Sequence, residues 1–339
     1  WDLSSPVVSL ETGQINSALK DHKLLISQEI AFPMVYVQQA SAQKAKVAAN
    51  ASMTEWKKQE MTAEIRAAYM TWWTASTRTS LLGRQDSLLR LYLKAVEKEL
   101  EAGGGDRVTL TMAESKLARS GHRLREAEAA RDIAYNDLLV MIHAGGTYRP
   151  PGPIPGRLTL PPAKNFSAEA TPLANSLTSG IREARSVLRA ESWKLAPSVS
   201  VGWFTQSLDQ VKPYTGWQYG ISIPVWFWGP AGRIQAARLN RDIAVNEMEN
   251  TLHHLGSAWY RLLREYETAS EKLDWYESAG RNQSEMLLGS AMKSYATGSV
   301  GFFEYVMMVG EAFDMQADHL EALDKNNQLV IRLMQITGQ

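Results

Sequence analysis

Few residues in this chain are placed to do chemistry. His253 and His254 are adjacent, so on a helix they point about 100° apart and cannot chelate one ion together. Met307 and Met308 are also adjacent. Thioether sulfur suits Cu(I), yet buried helix packing is the commoner use of such a pair and is the expectation here. His22, His122, His143 and His319 have no partner at ligand spacing. The absence of cysteine removes disulfides, thiolate nucleophiles and thiolate metal sites. No nucleophile elbow, HExxH helix or phosphate loop is present. These residues predict no enzyme, no cofactor and no metal site. Lys plus Arg and Asp plus Glu each number 36, so the zero net charge gives no footprint for nucleic acid either.

What remains is architecture, and the sequence writes one pattern twice. Two strand-like runs lead into a long helix, a glycine turn and a shorter returning helix, first from about Pro6 to Ile142 and again from about Pro197 to Gly338. The turns at Gly103 and Gly298 are offset by 195, and the prolines closing the second strands, Pro33 and Pro224, by 191. The four-residue difference is read as about one extra turn inside the second long helix, at roughly 3.6 residues per turn. The segments are 1–33, a first hairpin; 34–142, a long and a returning helix; 143–172, a Pro/Gly-rich linker; 173–196, a short helix; 197–224, a second hairpin; and 225–339, a second helix pair. Internal duplication on this scale argues for one body made of two similar halves.

The strands supply the membrane argument. Val199, Val201 and Trp203 alternate with Ser198, Ser200 and Gly202, and Trp217, Tyr219, Ile221 and Ile223 alternate with Gln218, Gly220 and Ser222. An apolar face and a small polar face over about ten residues is the pattern of a transmembrane β-strand. Aromatic residues at the strand ends, with Trp203, Trp217, Tyr219 and Trp226 as the membrane belt, fit an interfacial girdle. A soluble hairpin with one buried face is the alternative. No apolar run reaches the roughly 20 residues of a spanning helix, so any insertion uses strands. From Trp1 onward the chain reads as strand rather than as a signal peptide.

The helices run without proline over 34–102 and 231–297, roughly 100 Å each if continuous, with returning helices over 107–142 and 302–337. Apolar residues recur at three- and four-residue steps, as in Leu88, Leu91 and Ala95, which is a coiled-coil surface. Four strands cannot close a membrane barrel, because open edges are not tolerated in lipid. Eight strands give an interior filled by side chains; twelve, from three chains, leave a lumen. The predicted fold is therefore mainly α with transmembrane β: a duplicated strand-strand-long helix-turn-helix unit, assembled as a homotrimer with a 12-stranded barrel continued by a helical coiled-coil tunnel.

With these elements in order, the chain resembles the TolC-like outer-membrane efflux family over essentially its whole length. The resemblance is carried by Tyr219 to Pro224 (YGISIP) entering the long helix, by Tyr295-Ala-Thr-Gly298 with the apolar run to Met308, and by Leu333 to Gly338 (LMQITG). Ile26 to Pro33 and Leu100 to Gly103 match more loosely. Gly13 to Asn16, Ile26 to Glu29 and Phe32 to Tyr36 are similar to the branch that accompanies heavy-metal resistance-nodulation-division pumps in Bacteroidetes-type bacteria. In some members of that branch the domain is fused behind the inner-membrane pump.

The resemblance implies an outer-membrane exit duct reaching into the periplasm, embedded in outer-membrane lipid. Its partners would be two further copies of the chain, a periplasmic adaptor and an inner-membrane pump. It further implies a periplasmic gate at Tyr295, Glu304 and Asp106, and adaptor-contacting tips at Gly103, Gly104, Gly105, Gly298, Ser299, Val300 and Gly301. Ordinary helix packing for Tyr295 and a solvated surface position for Glu304 are the structural alternatives. The family's gate often carries a second acidic residue, which falls here at Met307, and its first copy opens on a short helix ahead of the strand that begins near Trp1. The other functional classes in play are a duct for type I protein secretion and a soluble coiled-coil scaffold.

Overall fold

The computed structural model describes residues 4–15, 18–145, 156–160, 166–209, 211–223 and 228–338. In chain order the elements are β1 Val7–Gly13, β2 Asp21–Ile30, α1 Pro33–Glu101, α2 Arg107–Met141, α3 Pro172–Trp193, β3 Ser198–Leu208, β4 Val211–Ser222, α4 Trp228–Trp275, α5 Arg281–Ala296 and α6 Phe302–Thr337. A 3₁₀ turn at Ala168–Ala170 precedes α3, so the end of the Pro/Gly-rich segment is helical where the sequence predicts none. No helix among the described residues is long and apolar enough to cross a membrane.

The chain divides into two compact units. One holds residues 1–56 and 167–254, the other residues 57–166 and 255–339. In the first, the strands form one antiparallel sheet in the order β1-β2-β3-β4. The two hairpins, remote in sequence, meet where Lys23–Ile30 pair with Gln206–Val199. Here α3 packs on the early part of α1 and of α4 through small residues. Ser186 hydrogen bonds Ser41 at 3.1 Å, Ser176 donates to the Ala49 carbonyl at 3.0 Å, and Thr178 lies 3.8 Å from the Met248 sulfur. Ser176, Ser179, Ser186 and Ala190 are buried along one side of α3, where larger side chains would hold the helices apart. Phe32 stacks on Trp193 at 5.2 Å and fixes the passage from β2 into α1.

In the second unit the rest of α1 packs with α2, the end of α4, α5 and α6. Three- and four-residue spacing delivers Ala63, Met70 and Trp73 of α1 against Leu320 and Ile331 of α6, and Leu262 of α4 against Leu329, Leu333 and Ile336 of α6. The described part of the Pro/Gly-rich segment lies on these helices: Leu158 joins the first cluster, Leu160 and Phe166 the second, with Phe166 stacked on Trp259 at 4.7 Å.

Two expectations are corrected. The second long helix is not continuous: Tyr276–Gly280 wind as one π turn between α4 and α5. Met307 is not buried, being 59% exposed, while Met308 does pack against the core. Leu333 is fully buried. Leu333→Ala is therefore expected to cost about 2–5 kcal/mol, read as a lower denaturant midpoint at unchanged slope. A shift below about half a kcal/mol would place that side chain outside the core.

Candidate functional site

Two places carry the residues that the sequence singles out, the sheet and the helical tips. In the sheet, pairing fixes which side chains share a face. Trp203 stands opposite Trp217, Val201 opposite Tyr219 and Val199 opposite Ile221. Across β2 the same face continues through Ile26 and Ile30, and across β1 through Val8 and Leu10. The other face holds Ser27, Glu29, Ser200, Gly202, Gln218, Gly220 and Ser222, with Val7, Leu25, Phe204 and Tyr214 as its large apolar and aromatic members. Glycine keeps this face shallow. A Cβ at Gly216 would lie 2.7 Å from the Phe204 ring, so that ring lies flat over the glycine, with the Lys23 ammonium 5.5 Å above it. On the first face Trp217 is 65% exposed and Tyr219 and Ile221 are each 73% exposed, an apolar surface far beyond scattered single residues. Trp226 lies outside the described residues.

Among the described residues the sheet has two open edges. β1 pairs with β2 and β4 with β3, leaving the outer N–H and C=O groups of both edge strands without ladder partners. With an even number of antiparallel strands, β4 of one copy can only meet β1 of another in antiparallel sense.

At the tips, both long helices end in the same motif. Gly103 and Gly298 take φ of +80° and +69°. The Gly103 N–H donates to the Leu100 carbonyl and the Gly104 N–H to the Glu99 carbonyl, both at 3.0 Å; Gly298 donates to Tyr295 at 3.0 Å and Ser299 to Ser294 at 2.9 Å. This is the Schellman closure, in which a left-handed residue satisfies the last carbonyls. A residue with a Cβ at either glycine would sit in the disfavoured left-handed region.

The returning helices are capped differently. Asp106 is the N-cap of α2 and accepts from the Thr109 N–H and hydroxyl, each at 2.8 Å. At the corresponding position of α6 stands Gly301, which has no side chain to offer, and Glu304 in the first turn reaches back instead to the Gly301 N–H at 3.4 Å. Glu304 is exposed, so its carboxylate caps the helix from the surface.

Behind the tips sits an aromatic cluster that sequence reasoning missed apart from Tyr295. Tyr92 of α1 stacks on Phe302 at 4.3 Å, meets Tyr295 edge-on at 5.4 Å and lies 5.5 Å from Tyr305, itself 4.8 Å from Tyr295. Aromatic pairs of this kind contribute about 0.5–1.5 kcal/mol each beyond area burial. Burial, with the Tyr295 hydroxyl beside it, pushes the Tyr92 phenol well above its ordinary pKa, and burial does the same for Tyr305, so both stay neutral. Tyr295 is therefore held within its own chain, packed between the two hairpin tips. The signal for Tyr92 was present only as an aromatic in a helix, with nothing to give its partner. His253 and His254 are adjacent rings 6.2 Å apart, and no cluster of three metal-ligating side chains occurs among the described residues.

No protein-family model and no curated protein matches the sequence. Solved structures do match the fold. The chain is similar to the CmeC outer membrane channel of Campylobacter jejuni, with a TM-score of 0.83 at 15% identity over 98% of this chain and 76% of that one. It is similar to the outer membrane protein VceC of Vibrio cholerae (TM-score 0.79, 14% identity, 98% and 85% covered) and to the open state of the MtrE outer membrane channel of Neisseria gonorrhoeae (TM-score 0.78, 16% identity, 98% and 80% covered). The fold is that of these outer-membrane channels: mostly helical, with a small antiparallel sheet.

The cap at Asp106 has a pH signature. Hydrogen bonds from Thr109 hold its carboxyl below the usual range, so its contribution is complete above the unfolded-state pKa and is lost as pH falls through the lower folded one. The protection factor of the Thr109 amide is expected to fall as pH drops below about 4, and Asp106→Ala should abolish that dependence. A protection factor flat from neutral pH to acid in the unsubstituted chain would remove the cap role.

Proposed function

We propose that this chain is one of three identical subunits of an outer-membrane exit duct, whose four-stranded sheets close into a 12-stranded barrel and whose helices form a periplasmic tunnel. The observation that carries the reading is the sheet itself: one face apolar and exposed, the other small and polar, and both edges open. In lipid, open edges leave unsatisfied backbone groups at several kcal/mol each, and closure among copies removes them. The fold shared with solved outer-membrane channels supports the same reading. The tips of the two hairpins are the surface for a periplasmic adaptor, which hands on substrate from an inner-membrane resistance-nodulation-division pump. Tyr295, Glu304 and Asp106 lie at the periplasmic gate, Tyr295 through the aromatic cluster that ties the hairpin tips of one subunit together.

The finer reading, that the cargo is a heavy-metal cation, rests on the resemblance carried by Gly13 to Asn16, Ile26 to Glu29 and Phe32 to Tyr36. Loss of the gene should then sensitise cells to metal salts before organic dyes; the reverse order would assign the duct to organic substrates.

The duct is tested by reconstitution. Purified protein should require detergent, sediment as a trimer and open pores in planar bilayers; a monodisperse, detergent-free protein without conductance would overturn it. Ile221→Arg places a charge on the lipid face and should cost about 2–4 kcal/mol of barrel stability, whereas Ser222→Arg, on the opposite face, should alter conductance and leave folding intact. Equal effects on folding would reverse the facing. Three copies of Glu304 near the axis would favour cations. Glu304→Gln should lower cation preference and weaken block by multivalent cations while the trimer persists, and unchanged selectivity would leave that residue a helix cap alone.

A further inference from the structure

The π turn between α4 and α5 is a built feature. The Arg281 N–H closes it onto the Tyr276 carbonyl, so the turn holds one residue more than its α neighbours. A Cβ on Gly280 would lie 2.8 Å from Tyr276 Cδ1 and 3.4 Å from Trp275 Cζ3, so glycine is what lets the Tyr276 ring fold back over the turn. The Tyr276 hydroxyl then donates to Asp318 of α6 at 3.2 Å, and burial with that nearby carboxylate raises its pKa and keeps it a donor.

Three residues of the Pro/Gly-rich segment, Gly156 to Leu158, bracket this turn. On one side the Arg157 guanidinium pairs with Asp274, the last turn of α4, and at 3.1 Å with Glu277 inside the π turn, and donates to Ser270. On the other side two adjacent, fully buried asparagines of α6 take hold of the segment's backbone. Asn327 accepts from the Leu158 N–H at 2.8 Å and donates to the Gly156 carbonyl at 3.1 Å, and Asn326 donates to the Leu158 carbonyl at 3.0 Å. Buried amides are costly unless their partners stay in place, so the segment is fixed to α6. The Arg157 side chain is only 22% exposed, while Asp274 and Glu277 are 60% and 39% exposed. The connection to α6 is thus the permanent one, and the ion pairs to the helix carrying the turn are the releasable one.

We propose that Tyr276–Gly280 is a hinge and that Arg157 is its latch. With Arg157 engaged, α4 and the π turn are held to α6; with it released, α5 and the tip it carries pivot about the turn. The hinge stands on the packing alone. Its consequence for conductance rests on the duct reading given above.

Hydrogen exchange of the full chain in detergent tests the hinge, and bilayer conductance tests the consequence. In Arg157→Ala, and in the double variant Asp274→Asn with Glu277→Gln, amides 276–282 should exchange about five-fold faster, the change expected for losing a coupling near 1 kcal/mol, with amides of α2 unaffected. The same variants should raise the open probability of the pore. Unchanged exchange at 276–282 in both variants overturns the hinge, and so does a uniform rise across all helices, which would make Arg157 a general stabiliser. Pores absent from the unsubstituted protein would refute the duct, and the exchange result would still decide the hinge.

Discussion

Unpaired backbone at the two edges of the sheet is the constraint on which the rest depends. A strand edge presents N–H and C=O groups that must find partners, and in hydrocarbon no water supplies them. Among the described residues β1 and β4 have none on their outer sides, although the sheet carries an apolar face that water does not favour. Under the duct proposed above, other copies would meet the first need and lipid the second. The small residues of the opposite face then have a purpose, since Gly202, Gly216 and Gly220 keep a wall thin where bulk would intrude.

The helical unit obeys a different logic. Each of its helices buries a narrow stripe, and four hydrophobic clusters share the load. Where the chain turns, two left-handed glycines close the helices, and aromatic rings behind them tie the hairpin tips together. Two fully buried amides sit where the Pro/Gly-rich segment crosses: Asn326 and Asn327 are buried because the segment's backbone borrows amides from α6.

Much of the architecture was legible from residue types alone. Alternation in 198–206 and 216–224 sorted Trp203, Trp217 and Tyr219 from Ser200, Gly220 and Ser222, and register agrees because the side-chain period of a strand is two. Gly103 and Gly298 announced the turns because few other residues tolerate that backbone. The aromatic cluster and the bracket at Arg157 were not legible. Tyr92 is more than 200 residues from Tyr295, and Arg157 more than 100 from Asp274, and no local pattern joins them. The π turn escaped for another reason: one added residue leaves three- and four-residue spacing nearly intact on either side. Glu304 also carries work that its residue type did not announce: with no N-cap side chain at Gly301, its carboxylate reaches back to that backbone N–H.

The π turn also bears on symmetry. The two long helical strands end at an offset of 195, yet among the described residues only the second spends a residue on a wider turn. Beyond that turn its phase lags the first by about one residue, or roughly 100°. Residues that correspond by number therefore present different sides near the tips. In a three-fold ring the tips would have approached six equivalent positions; the lag sorts them into two alternating sets of three. Under the trimer proposed above, a partner docking around the ring would meet two distinct grooves, and duplicated subunits of that partner would have to bind in two ways or differ.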